Sequence, residues 1–286
     1  MLERCTLCPR NCKINRYKQK GVCGVKDQIL VSNILLHKGE EPPISGKNGA
    51  GVVFFSGCPM KCVYCQNMGF SQKGVGKEIS VEKLAEAFLI LQENGAQTLD
   101  LVTPTPHVLG IIEALEIARK RGFNLPVVYN TSSYENIETL ELMRNYVDIY
   151  LADIRYTNSY YGEIYSKAPN YWEIAQVAIK EMYKQVGPFS EEKGKGLIIR
   201  ILVLPNKISG HFEAMRFVAN LDIEIPISLM SQYMPVFGAK NDPLLNRRIT
   251  KAEYQEAIEY MELLGLRGWV QTNEKEKLTT KGVKWL

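Results

Sequence analysis

The hydrophobic pattern changes character at about residue 46. Upstream, few segments hold a regular period, and the stretch ends in Glu40-Glu41-Pro42-Pro43, a turn signal. Downstream, short apolar runs alternate with segments of helical period. Residues 50–56 (AGVVFFS) read as a strand of buried type. Ser80 opens a helix as its N-cap, with Leu84, Ala87, Phe88 and Leu91 on one face; Lys83 stands where a full capping box has Glu. The spacing then predicts strands at 98–103, 126–131, 147–153, 196–204 and 225–231. It predicts helices over 107–121, 135–145, 171–185, 211–220 and 250–264, the last closed by Gly265. Strands separated by helices pair in parallel through right-handed crossovers, and continuous apolar runs suit strands covered on both faces. The expected fold is α/β: a partial (β/α)6 TIM-like barrel over 47–286 behind a small N-terminal cysteine-rich, metal-binding module over 1–46. An open doubly wound sheet is the structural alternative. The charged tail at 273–284 reads as a solvated segment.

Composition narrows the classes. At 286 residues, 45% hydrophobic and 23% charged, the chain has the make-up of a globular protein rather than a disordered or fibrous one. A net charge of +4, evenly mixed, gives no basis for nucleic acid or anionic lipid as a partner. No apolar run reaches the roughly 18 to 20 residues of a membrane span, and the start lacks a secretion-signal layout. A cytoplasmic location is expected. The cysteines depart from this ordinary picture: all seven lie at or before Cys65, in two groups. An odd number without a secretion signal argues against a disulfide framework, and clustering argues against scattered core cysteines.

Other motifs are missing or fragmentary. There is no GxxxxGK[ST], HExxH or GxSxG, and three histidines give a His-based hydrolase little to work with. The strong signal is Cys58-Pro-Met-Lys-Cys62-Val-Tyr-Cys65, a C-x3-C-x2-C spacing where the first barrel strand ends. Parallel α/β folds place their chemistry on that face. Three thiolates on one loop can hold three irons of a [4Fe–4S] cluster and leave the fourth iron open to a ligand. A zinc knuckle is the bland alternative, but it wants a fourth ligand that the nearby sequence lacks.

This spacing, with Tyr64 before the last cysteine, resembles the radical S-adenosylmethionine (SAM) superfamily. The resemblance implies that the open iron chelates the amino and carboxylate groups of SAM. Reductive cleavage of SAM then yields methionine and a 5′-deoxyadenosyl radical that abstracts hydrogen. Within the superfamily, Cys62-Val-Tyr-Cys65-Gln-Asn67, Cys5-Thr-Leu-Cys8-Pro-Arg-Asn-Cys12 with Gly21-Val-Cys23-Gly24, Glu40-Glu-Pro-Pro-Ile-Ser-Gly46, Leu101-Val-Thr-Pro-Thr-Pro-His107, Val128-Tyr-Asn-Thr131, Tyr150-Leu-Ala-Asp-Ile-Arg155 and Ser231-Gln-Tyr-Met-Pro235 resemble enzymes related to pyruvate formate-lyase activases, of the PflX-like branch. These matches span most of the chain. The resemblance implies that Asn67 lies near SAM. Thr103 and Thr105, with backbone carbonyls, stand where activases carry a Gly-Gly-Glu contact for the SAM amino group. Asn130-Thr131-Ser132-Ser133 replaces the usual Asp-Thr-Asn-Gly. Asp153-Ile154-Arg155 replaces Asp-x-Lys, and an Arg fork can pair a carboxylate. Arg200, a charge inside an apolar strand, must find a partner: SAM, substrate or Asp153. Gln232 and Tyr233 end the sixth strand on the same face and touch adenine or substrate, or simply pack.

Cys5, Cys8, Cys12 and Cys23 supply four further thiolates. A closed zinc site and a second iron–sulfur cluster both fit them. The implied function is a radical SAM enzyme, an oxidoreductase that abstracts hydrogen from a protein or peptide substrate, such as a glycyl-radical enzyme. An electron donor of flavodoxin or ferredoxin type serves it, with neither membrane nor nucleic acid as partner. Modification of a small molecule and a non-catalytic zinc-binding adaptor are the alternatives.

Overall fold

The structure is a computed structural model that describes residues 1–271 and the backbone of Val283–Trp285. Residues 273–282 of the charged tail lie outside the described residues. In chain order the strands are β1 (Ile29–His37), β2 (Ala50–Phe55), β3 (Lys77–Ile79), β4 (Leu99–Val102), β5 (Val127–Thr131), β6 (Ile149–Ile154), β7 (Gly196–Leu202), β8 (Ile227–Met230), β9 (Gly268–Gln271) and β10 (Val283–Trp285). The helices are α1 (Pro42–Ser45), α2 (Met68–Ser71), α3 (Val81–Glu93), α4 (Val108–Lys120), α5 (Ile137–Met143), α6 (Ser159–Ser166), α7 (Tyr171–Val186), α8 (His211–Leu221) and α9 (Lys251–Leu263).

All ten strands form one sheet in the order β10-β9-β8-β7-β6-β5-β4-β2-β1-β3. β2, β4, β5, β6, β7 and β8, the six expected strands, pair in parallel. The order runs edge to edge without closing, so the barrel is partial. Four further strands were not visible in the pattern. β9 continues the parallel array beside β8, β1 pairs antiparallel with β2, and β3 and β10 pair antiparallel with β1 and β9. β1 lies inside the stretch that reads as irregular. Its burial, B-i-B-i then four exposed residues, follows a two-residue period only over its first four positions.

Local chemistry explains the elements. The Ser80 hydroxyl accepts from the Lys83 backbone N–H, so the N-cap forms without the full box. Thr250 and Glu253 make a complete capping box on α9, and Gly265 follows its end at φ +67°. Burial separates two layers. Side chains such as Leu84, Phe88, Ile111, Leu115, Ile179 and Val218 fill the space between sheet and helices. Ile44, Ala50, Val52, Val128, Leu151 and Ile198 fill the barrel interior, with α1 carrying Ile44 into it. No helix among the described residues is long and apolar enough to cross a membrane.

Candidate active site

The parallel strands end on one face, and the 58–65 loop crosses it directly after β2. Backbone bonds fix the loop against the end of α6: Lys61 N–H to Ser166 O at 2.8 Å and Val63 N–H to Tyr165 O at 2.8 Å. Tyr64 is buried beneath the loop, edge-on to Tyr156 and Tyr233 at centroid distances of 6.4 and 5.7 Å. Ser166 donates to Cys62 Sγ at 3.0 Å, and the Met60 N–H approaches Cys58 Sγ at 3.4 Å. Cys65 Sγ and the Ser71 hydroxyl lie 3.2 Å apart. Ser166, at the end of α6, and Tyr156, just before that helix, are more than 90 residues from the loop in sequence and were not foreseen as its supports.

Cys58, Cys62 and Cys65 line a cavity of about 390 Å³. Asn67, Thr103, Asn130, Asp153, Arg155, Arg200, Gln232 and Tyr233 line the same cavity. Strand alternation and the shared C-terminal edge bring them together from the ends of six strands. Thr103, at the end of β4, sits at φ +59°, a region costly for a β-branched residue and found where function over-determines the backbone.

Thr105 is the exception among the expected contacts. It does not line the cavity; it is buried, and its hydroxyl donates to Glu135 Oε1 at 2.6 Å. The short 3-10 turn Thr105–His107 that follows β4 turns the side chain into the core, where only a buried acceptor can satisfy it. Thr131 donates to the same oxygen at 2.5 Å, while Glu135 Oε2 finds no hydrogen-bond partner. Burial pushes this carboxyl up to about 7, against the pull of the two threonine hydroxyls.

The charged residues form one network. Asp153 accepts from Arg200 Nε at 2.6 Å and from Arg155 at 2.6 Å, one guanidinium on each oxygen. Arg200 also donates to Asn130 Oδ1 at 2.5 Å and to Glu40 Oε2 at 3.3 Å, and it lies 4.0 Å from Glu41 Oε2. Asn130 in turn donates to Asp100 Oδ2 at 3.2 Å. Of the partners open to Arg200 in the sequence, the structure shows Asp153. Glu40 and Asp100 were missed; the first precedes α1 and reaches into the barrel from outside the strand pattern. Burial raises Glu40 well above the usual carboxylate range, with Asp100 adding repulsion and Arg200 opposing it. Asp100 is raised to about 7 by burial, again against Arg200. Arg155 Nε is buried without a hydrogen-bond partner among the described residues.

The donor set fits an iron–sulfur cluster. Burial, then repulsion from Cys62, pushes the Cys58 thiol up to about 12, so deprotonation there needs a metal's charge. Among the described residues no three His, Cys, Asp or Glu side chains converge on a single metal ion. A cubane takes each sulfur on a different iron, so it asks for sulfurs spread around a common cavity. His107, by contrast, serves the core: its Nε2 lies 2.8 Å from Ser56 O, and its ring stacks on Phe55.

The N-terminal cysteines lie nearby. Cys5, Cys8, Cys12 and Cys23 line one small cavity of about 10 Å³ with Arg10 and Arg16. The segment is tied to the fold by Asn136 Nδ2 to Thr6 O at 2.7 Å and Thr139 Oγ1 to Leu7 O at 2.7 Å.

Comparison with known proteins agrees with this geometry. Residues 52–215 match the family model for the radical SAM superfamily. The chain is 32% identical over 277 residues to an uncharacterised protein of Methanocaldococcus jannaschii, covering 93% of this chain and 76% of that protein. Its fold is similar to the crystal structure of HydG, a maturase of the [FeFe]-hydrogenase, with a TM-score of 0.50 and 14% identity, over 77% of this chain. This chain spans 50% of the HydG chain. A domain of pyruvate-formate lyase-activating enzyme from Bacteroides vulgatus is similar over 58% of this chain and 91% of its own, with a TM-score of 0.42 and 18% identity.

Proposed function

This chain belongs to the radical SAM superfamily, and from that premise we propose that it abstracts hydrogen from a protein or peptide substrate, as an activase of glycyl-radical type does. When bound, a reduced [4Fe–4S] cluster supplies the electron that splits SAM into methionine and a 5′-deoxyadenosyl radical. Cys58, Cys62 and Cys65 would hold three irons of that cluster, and no fourth cysteine lines that cavity. Arg155 orients the SAM carboxylate, while Asp153 fixes the guanidinium. Asn67 and Thr103 line the same cavity with polar groups. The aromatic packing of Tyr64, Tyr156 and Tyr233 closes the underside of the loop to water.

The observation that carries the reading is the gathering of three cysteines and two arginines around one cavity at the C-terminal strand ends. The substrate class draws support from the rim. Met234 and Phe237 are exposed apolar side chains in the segment after β8, where Gly238 packs close to Val63 of the cysteine loop. We read these two side chains, in the segment that follows the cavity-lining Tyr233, as contacts for a polypeptide substrate. An electron donor of flavodoxin or ferredoxin type completes the proposal.

Anaerobic reconstitution tests it. The wild-type chain should release 5′-deoxyadenosine from SAM on reduction, and Cys62→Ala should release none. A glycine-containing peptide deuterated at Cα should pass deuterium into the 5′-deoxyadenosine. Transfer only from small molecules would refute the substrate class; equal product from Cys62→Ala would refute the chemistry.

A further inference from the structure

Two cysteine groups share this chain, and hydrogen bonds join the segments that carry them. The Cys58 N–H donates to the Cys23 carbonyl oxygen at 3.2 Å. Arg10, between Cys8 and Cys12, donates from Nε to Pro59 O at 2.6 Å, and its guanidinium also approaches the Tyr134 ring at 5.7 Å. Gly57 takes φ +88°; a Cβ there would collide with Val25 and lie 2.9 Å from the Cys23 carbonyl oxygen. The N-terminal segment and the cluster loop are therefore in backbone contact.

The four N-terminal sulfurs surround one small cavity. A Cβ on Gly21 would lie 3.2 Å from Cys23 Sγ and 3.7 Å from Cys12 Sγ, so these two sulfurs already face a common point. Buried Arg16 stands beside them, its guanidinium held by Lys26 O and by Pro106 O at 2.8 Å. A cation so placed offsets the negative charge of a tetrathiolate centre.

We propose that Cys5, Cys8, Cys12 and Cys23 bind a thiophilic metal centre, and that this centre positions the Cys58 loop through Cys23 and Arg10. The ligand chemistry is four thiolates, which zinc and iron–sulfur clusters share. Metal binding draws the sulfurs together and tightens the 5–23 segment, and with it the Cys23 carbonyl that holds the Cys58 N–H. Bonds to the N–H groups around a cluster cysteine tune that cluster, so loading one site changes the signature of the other. The coupling rests on the reading of Cys58, Cys62 and Cys65 as cluster ligands; the N-terminal centre itself does not.

The test compares the full-length chain, purified and reconstituted anaerobically, with Cys8→Ser/Cys12→Ser, Cys62→Ser and Arg10→Ala. Iron, zinc and sulfide are counted per chain. Electron paramagnetic resonance is recorded on the reduced proteins with and without SAM. Wild type should carry metal beyond one cubane: zinc identifies a closed zinc site, extra iron with sulfide a second cluster, and either supports the centre. Cys8→Ser/Cys12→Ser should lose that extra metal alone and shift the resonance of the remaining cluster. Cys62→Ser should lose the cubane and keep the extra metal. Arg10→Ala leaves every thiolate in place, so it should keep both centres yet still shift the resonance. Wild type with one cubane and nothing more would overturn the centre. Unshifted spectra in both Cys8→Ser/Cys12→Ser and Arg10→Ala would overturn the coupling. Extra metal without a cubane would instead sink the function proposed above and leave the N-terminal centre standing.

Discussion

Replacing Arg200 by Met should destabilise the fold in a strongly pH-dependent way. Arg200 is 14% exposed in its side chain and faces Asp153 (8%), Glu40 (12%) and Glu41 (7%). Arg155 is the second cation of the cluster, and it contacts Asp153 alone among these carboxylates. Removing Arg200 leaves buried carboxylates without their main partner, a loss of about 3–5 kcal/mol for a broken buried pair. The sign with pH follows from the directions above. Glu40 and Asp100 are already raised, Asp100 to about 7, and Arg200 is what pulls both down. Without it their folded-state values rise further above the unfolded ones. The variant then takes up protons on folding and regains stability as pH falls from about 8 toward the unfolded carboxylate range near 4. Wild type and variant share the same buried histidines, so the histidine contribution cancels in the difference. Anaerobic urea denaturation at pH 8 and pH 5.5 measures it. The expected result is a loss of about 3–5 kcal/mol at pH 8 that shrinks by at least about 1 kcal/mol at pH 5.5. A loss below about 1 kcal/mol at pH 8, or an equal loss at both values, would refute the view of Arg200 as the counterion of this cluster.

Three further outcomes follow from other residues. Glu135→Gln should stabilise the chain above pH 7: the carboxyl titrates near 7 in the fold, so its ionised form costs folding energy there, up to about 3 kcal/mol. Thermal melts at pH 8 and pH 5.5 check this, and a loss of stability at pH 8 would contradict it. His107 and His211, both buried and held down to about 4, stay neutral in the fold while the unfolded chain protonates near 6.5; their contribution to stability should therefore drop as pH falls from about 6.5 to 4, opposite in sign to that of the raised carboxyls. His107→Gln should flatten that slope in a pH series of melts, and an unchanged slope would count against it. Thr103→Gly should relieve the positive φ and stabilise the fold by about 1 kcal/mol, while weakening SAM binding in equilibrium titration; a destabilised variant would show that Thr103 carries no strain.

The alternation of apolar runs and helical periods was enough to place the six parallel strands and the helices between them. A strand covered on both faces is mostly apolar along its length, and β2 and β5–β8 carry that mark in the chain itself, broken where Asn130, Asp153 and Arg200 face the cavity. The C-x3-C-x2-C spacing likewise announced its chemistry, because three ligands on one loop are neighbours before folding begins. The partners of Arg200 were different. Asp153, Asn130 and Glu40 come from separate strands and from the approach to α1, and only the folded arrangement sets them within hydrogen-bond reach of one guanidinium, with Asp100 joined to it through Asn130. Thr103 and Thr105 stand two residues apart and look equivalent in sequence. One lines the cavity and the other bonds Glu135 in the core, because the turn after β4 decides which way each side chain points. Local pattern determined the elements and the cysteine loop. Tertiary packing alone decided which charges meet and how the N-terminal cysteines come to rest against that loop, since such contacts join residues that are far apart until the chain is folded.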